Sequence, residues 1–216
     1  LDYTVGSDGV VARPGVGSIL DLKGKSIGVQ RGTICHFTLL KALEKAGLSQ
    51  DEVQLVDLEQ DQLKGAFTSG RVDAVSTYEP FLGRLLQTGE GRVIFSSREI
   101  PRAICDVLIV HEEITTHHRR VLDHWAKAWQ KILELRQRSP SRFHRELRSV
   151  SDMSPGELQR SLQGLFLTDL RENRRAFGTS GTPGYLLTSL DQMARFMHEE
   201  GVISSLPPLN QMVDPE

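Results

Sequence analysis

Short β-rich runs alternate with helical runs between residues 25 and 97, and no other feature limits the possible folds as much. Residues 26–30, 53–57, 74–77 and 92–96 are short and mostly carry Val or Ile. Between them, 36–46, 60–69 and 80–87 place apolar residues at helical spacing: Phe37, Leu40 and Leu43, then Leu63 and Phe67, then Phe81 and Leu85. Strands alternating with helices of this length predict crossover units, a parallel sheet and an α/β fold. Such sheets bind ligands at strand C-termini, where loops run into helix N-termini. Residues 31–36 and 77–80 are therefore the first places to look for function.

The chain has 216 residues, enough for one large domain or two small lobes. No apolar run approaches membrane-spanning length, and the first residues lack the basic-then-apolar layout of a signal peptide. The chain opens on Leu1 rather than Met, as expected of a processed or trimmed product. A net charge of −2 argues against nucleic acid as the main partner. Cys35 and Cys105 form neither a disulfide framework nor a zinc signature, and read as small buried side chains.

Several stops and starts are legible. Gly24 closes a short turn over 19–24, and Gly47 and Gly70 sit just past helices, where a left-handed residue is wanted. Asp51 is expected to cap a short turn, and Pro80 to occupy a first helical position. Residues 104–110 (Ile-Cys-Asp-Val-Leu-Ile-Val) read as a strand buried on both faces, with Asp106 a carboxylate in need of a partner. Val121, Leu122, Trp125, Ala128, Trp129, Ile132 and Leu133 form one apolar helical stripe over about 118–138. Ser154-Pro155-Gly156-Glu157 is a helix-start signature. Residues 178–184 read as a loop, 186–200 as a final amphipathic helix, and 206–215 as an extended tail.

Asp21-Leu22-Lys23-Gly24-Lys25-Ser26-Ile27-Gly28-Val29 resembles the entry to the second lobe of periplasmic substrate-binding proteins of ABC importers, in the nitrate/sulfonate/taurine and thiamine-precursor group. Gly32-Thr33 with His36, the run Ala66-Phe67-Thr68-Ser69-Gly70-Arg71-Val72-Asp73-Ala74, Tyr78-Glu79-Pro80-Phe81 and Asp106-Val107-Leu108-Ile109-Val110 resemble the same group in the same order. The resemblance implies a type II periplasmic-binding-protein fold of two lobes: 17–98 as the α/β second lobe, and 1–16 with 103–216 as the first. Members usually begin with a further strand–helix–strand portion, so the first lobe is expected to be incomplete. Hinges are expected near 14–18 and 100–104.

The resemblance also sharpens the site. Gly32 permits a tight turn and Thr33 offers a hydroxyl beside free N–H groups, so the helix start is either an anion site or an ordinary cap. The resemblance puts a sulfonate, nitrate or carboxylate there. His36 faces the cleft or the surface. Tyr78 is placed to stack on a ligand, and Glu79 to accept from an amine or from helix N–H groups. Asp8 and Asp106 are expected on the strands crossing between lobes. Gly6 and Gly9 let backbone approach Asp8 closely, and Asp106 resembles a position that in taurine-type members meets the ligand amine; the alternative is a buried carboxylate paired with an arginine such as Arg102 or Arg13. If Asp8, Glu79 and Asp106 share one cleft, it suits an amine-bearing ligand better than bare nitrate.

Arg136 to Arg148 reads as a solvated basic face, and His117-His118 lacks the spacing of a helical metal pair. No cofactor and no catalytic constellation are expected. The implied function is non-catalytic capture of a small polar solute, periplasmic or extracytoplasmic. The implied partner is an ABC permease, with membrane contact only through it or through a lipid anchor outside this chain. The alternatives are a sensor domain of a larger signalling protein and a pyrimidine-synthase-like enzyme.

Overall fold

The computed structural model describes residues 2–179 and 182–213. Two sheets organise them. The larger is five-stranded, built from β2 (Asp8–Ala12), β3 (Ser26–Val29), β4 (Gln54–Asp57), β5 (Ala74–Tyr78) and β6 (Arg92–Ser96) in the order β4-β3-β5-β2-β6. β3 runs parallel to β4 and β5, whereas β2 is antiparallel to β5 and β6. The smaller sheet is antiparallel and three-stranded, with β1 (Asp2–Thr4) between β7 (Cys105–Asp106) and β8 (Leu165–Leu167).

Helices cover both faces of the larger sheet, so β2, held between β5 and β6, is buried along its whole length. On one face α1 (Ile34–Ala46) brings Phe37, Leu39 and Leu43 onto Val10, Ile27 and Val29. On the other, α2 (Gln60–Thr68) and α3 (Phe81–Leu86) bring Leu63, Phe67 and Leu82 onto Val11 and Val75. Alternating side chains of one strand thus feed two cores, each fully buried large side chain contributing about 1.5–3 kcal/mol. α1 ends as expected on Gly47, at φ 71°, whose N–H caps the carbonyl of Leu43. Ser49 with Glu52, rather than Asp51, caps the short turn at Gln50–Glu52. Pro80 is the N-cap of α3, one place before the first helical residue.

The remaining helices are α4 (Glu112–His117), α5 (Arg119–Arg138), α6 (Pro140–Ser149), α7 (Pro155–Gln163), α8 (Leu170–Phe177), α9 (Tyr185–Glu199) and α10 (Leu209–Met212), the last a short turn against α9 where an extended tail is expected. Ser154 and Glu157 form the expected capping box at the start of α7. α9 closes over α1, with Phe196 edge-on to Phe37 at 5.5 Å between ring centres. In the loop expected at 178–184, Gly178–Thr179 pairs antiparallel with Thr182–Pro183, and residues 180–181 of that loop and 214–215 of the expected tail lie outside the described residues.

Two expectations change. Residues 8–16 are expected in the smaller lobe with a hinge near 14–18, yet Asp8–Ala12 pairs with both β5 and β6 inside the larger sheet and Val16 packs into the same core, so the chain enters this lobe before residue 8. The strand buried on both faces at 104–110 is only two residues long, and Val107, Leu108, Ile109 and Val110 are exposed, Ile109 to 84%. Burial on both faces needs neighbours on both sides, and among the described residues β1 is the one strand that pairs with β7. The apolar stripe of α5 is likewise largely exposed, with Leu133 its buried residue.

Candidate functional site

A cavity of about 520 Å³ lies where the two sheets meet. One wall is the C-terminal end of β5, with Tyr78 and Glu79, beside the start of β2, with Ser7 and Asp8. Register sets this wall, because Asp8 stands opposite Tyr78 and the Glu79 N–H donates to the Ser7 carbonyl at 2.8 Å. Ile34 enters from the start of α1, Thr4 from β1, Asp106 from β7 and Met193 from α9. The position at a strand C-terminus beside a helix start is the one predicted by the alternation of elements.

Asp8 is 3% exposed, and its Oδ2 finds no hydrogen-bond partner. Burial pushes its carboxyl up to about 6, opposed by the Thr4 hydroxyl and reinforced by the Asp106 charge. Ser7 is also buried, and its Oγ has no partner. Gly164 backs it closely: a Cβ there would fall 2.4 Å from Ser7 Oγ and 2.7 Å from Ser7 N. The missing side chain is what lets the end of α7 close this wall.

Glu79 is partly committed. Its Oε2 accepts the Gly83 N–H at 3.2 Å, and Arg160 Nε of α7 stands 3.9 Å from Oε1. Burial chiefly raises its carboxyl above the ordinary range. Tyr78 packs edge-on against Phe81, 5.6 Å between ring centres. Asp106 has neither expected arginine partner: Arg102 pairs with Glu172 at 3.0 Å, and Arg13 lies over the Phe67 ring. Instead Asp106 faces Asp2 across the β1–β7 ladder. Burial, aided by the Asp106 carboxyl, pushes Asp2 up to about 7, and its Oδ1 is buried without a partner.

The structure therefore brings four of the expected residues, Asp8, Tyr78, Glu79 and Asp106, to one cavity, and places Gly32, Thr33 and His36 elsewhere. Thr33 Oγ1 donates to the Gln30 carbonyl at 2.7 Å. His36 is fully buried beneath α9. Its Nδ1 accepts the Gly32 N–H at 3.3 Å, which leaves the proton on Nε2, 3.1 Å from Gln50 Oε1. Glu200 Oε2 lies 3.5 Å from Nδ1, and burial is the main cause holding the imidazole below its usual value. This group seals the seam between α1 and the end of α9.

Cys35, one residue away, is inert: burial pushes its thiol up to about 12, and Sγ accepts from Gln60 Nε2 at 2.9 Å. Thr4, Ser7, Met153 and Met193 were missed by sequence reading. Ser7 had a signal, since it sits in the Gly6–Gly9 interruption beside Asp8, but the two methionines had none.

The family described as NMT1/THI5 like matches residues 8–141, well over half of the chain. A Brucella abortus (strain 2308) chain named only as a binding protein is 39% identical over 87 residues, which are 40% of this chain and 27% of the relative. The taurine-binding periplasmic protein of Escherichia coli (strain K12) is 26% identical over 125 residues, 56% of this chain and 38% of that protein. The matched stretches thus span well under half the length of these relatives. Among solved structures, the periplasmic aliphatic sulphonate binding protein of Escherichia coli superposes with a TM-score of 0.71 at 17% identity, covering 98% of this chain and 72% of that one. The fold is that of type II periplasmic binding proteins.

Proposed function

Because the chain belongs to the NMT1/THI5-like family, we propose that it is the solute-binding component of an ABC importer, capturing a small molecule without changing it. The observation that carries this reading is the cavity between the two sheets, where Asp8 Oδ2 and Ser7 Oγ are buried without partners. Unsatisfied polar atoms cost stability in the empty protein, and a ligand that satisfies them recovers it. The lobes are 17–98 with the strand at β2, against β1, β7, β8 and the C-terminal helices. They close about the crossings at 5–7 and 97–104. Arg84 of α3, which reaches Glu157 of α7 at 2.5 Å, ties them on the cavity side.

An extracytoplasmic location and a permease partner follow from this reading; no helix among the described residues is long and apolar enough to cross a membrane. A thermal-shift screen against taurine, alkanesulfonates, nitrate, bicarbonate, aminopyrimidines and simple amines tests it. A ligand that binds only the folded state raises the melting temperature. A folded sample that responds to none of them, or that converts the solute it binds, refutes the reading.

A further inference from the structure

We propose that the cavity selects a small organic cation, a protonated amine or amidine head on an apolar body. The inference rests on the solute-capture reading and names the class of its solute.

The charged part of the lining is acidic. Asp8, Glu79 and Asp106 line the cavity, and no Lys, Arg or His does so among the described residues. Arg160 comes near from α7, but it stands beside Glu79 outside the lining. An organic anion entering here would meet three carboxylates with no cation of its own in the walls. A cationic head would find Asp8 Oδ2, nine-tenths buried and unpartnered, with Ser7 Oγ as a neutral acceptor beside it. The rest of the lining is largely apolar, with Ile34, Ile104, Leu186, Leu190, Met153 and Met193 among it. Thioethers and branched aliphatics accept a compact hydrocarbon group without asking for hydrogen bonds.

The pH dependence follows from the groups around Asp8. Asp106 on β7 and Glu79 and Tyr78 at the end of β5 share the cavity with it, Cys35 faces it from α1, and Asp2 stands behind Asp106 on β1. In the empty protein Asp8 takes up a proton near pH 6. A bound ammonium displaces that proton. Affinity therefore rises with pH up to about neutrality and falls by up to about tenfold per pH unit below 6.

The test is calorimetric titration of the chain with three probes that share one body: n-hexylammonium, n-hexanesulfonate and 1-hexanol. At pH 7.5 hexylammonium is expected to bind at least tenfold more tightly than the other two. Asp8→Asn is expected to lower its affinity at least tenfold and that of hexanol by much less. Asp106→Asn, at an exposed strand edge where refolding is not at risk, is expected to weaken hexylammonium in the same sense. Hexanesulfonate or taurine binding in place of hexylammonium overturns the cation assignment and leaves solute capture standing. Hexylammonium binding that ignores both substitutions, or that does not weaken between pH 7.5 and 5, also overturns it. No binding by any hexyl probe, with no response in the wider screen, overturns both.

Discussion

Replacing Asp8 by Asn should stabilise the empty protein at neutral pH. The carboxyl is 3% exposed and its ordinary value of 3.8 rises to about 6, mainly through burial. At about 1.36 kcal/mol per pKa unit, that rise means that ionised Asp8 costs the fold about 3 kcal/mol. The sign runs against the usual carboxylate. A group whose folded value is raised costs nothing below its unfolded value; the cost grows as pH climbs from about 4 and is complete above about 6. Asn keeps the shape and removes the charge, but its amide inherits the unsatisfied position of Oδ2, a penalty of about 1 kcal/mol or more. The net gain at pH 7 is therefore up to about 2 kcal/mol. Urea unfolding of parent and variant at pH 4, 5, 6 and 7 measures it. Asp2, raised to about 7, gives both proteins a similar slope, so the difference between the two curves isolates Asp8. The difference should be near zero or negative at pH 4 and widen to its full value by pH 7. An offset independent of pH, or a parent that is the more stable at pH 7, refutes the reasoning. A residue that costs stability in the empty site is what a charge kept for a ligand would do.

Phe67 is fully buried between α2 and the larger sheet, so Phe67→Ala should cost about 3–5 kcal/mol in denaturant unfolding. Gly164→Ala drives a Cβ to 2.9 Å or less from three Ser7 atoms, two of them backbone; a loss of about 1–3 kcal/mol is expected, together with weaker binding of any cavity ligand. Trp129 Nε1 donates to the Thr168 carbonyl at 2.8 Å, and Trp129→Phe should lose about 1 kcal/mol in thermal unfolding. A thiol reagent applied to the native protein should modify Cys105, which is partly exposed, and spare Cys35, with both reacting in denaturant.

What could be read ahead of the structure was local. β3 to β6 and the helices between them follow from periodicity over a few residues, and the ends of α1 and α7 from Gly47 and Ser154, because caps and patterns act within one or two turns. Long-range partnership was not legible. Nothing in Asp8–Ala12 says which sheet it joins, since a strand with both faces apolar fits either; only its pairing with β5 and β6 decides. The same limit governs the site. Gly32, Thr33 and His36 have the chemistry of a helix-start anion site, yet α9 returns from far along the chain and seals His36 under Phe196 and Glu200, while the Thr33 hydroxyl is spent on the Gln30 carbonyl. Asp106 shows the limit from the other side. An acid in an apolar run calls for a partner, and the arginines nearest in sequence are the natural candidates. The ladder instead sets Asp2 opposite it, so the partner is a second acid. Asp2 bears the consequence, its carboxyl raised to about 7 by burial and by the Asp106 carboxyl opposite. Asp106 also lines the cavity, so a cationic head bound at Asp8 would lower the repulsion that Asp2 meets across the ladder.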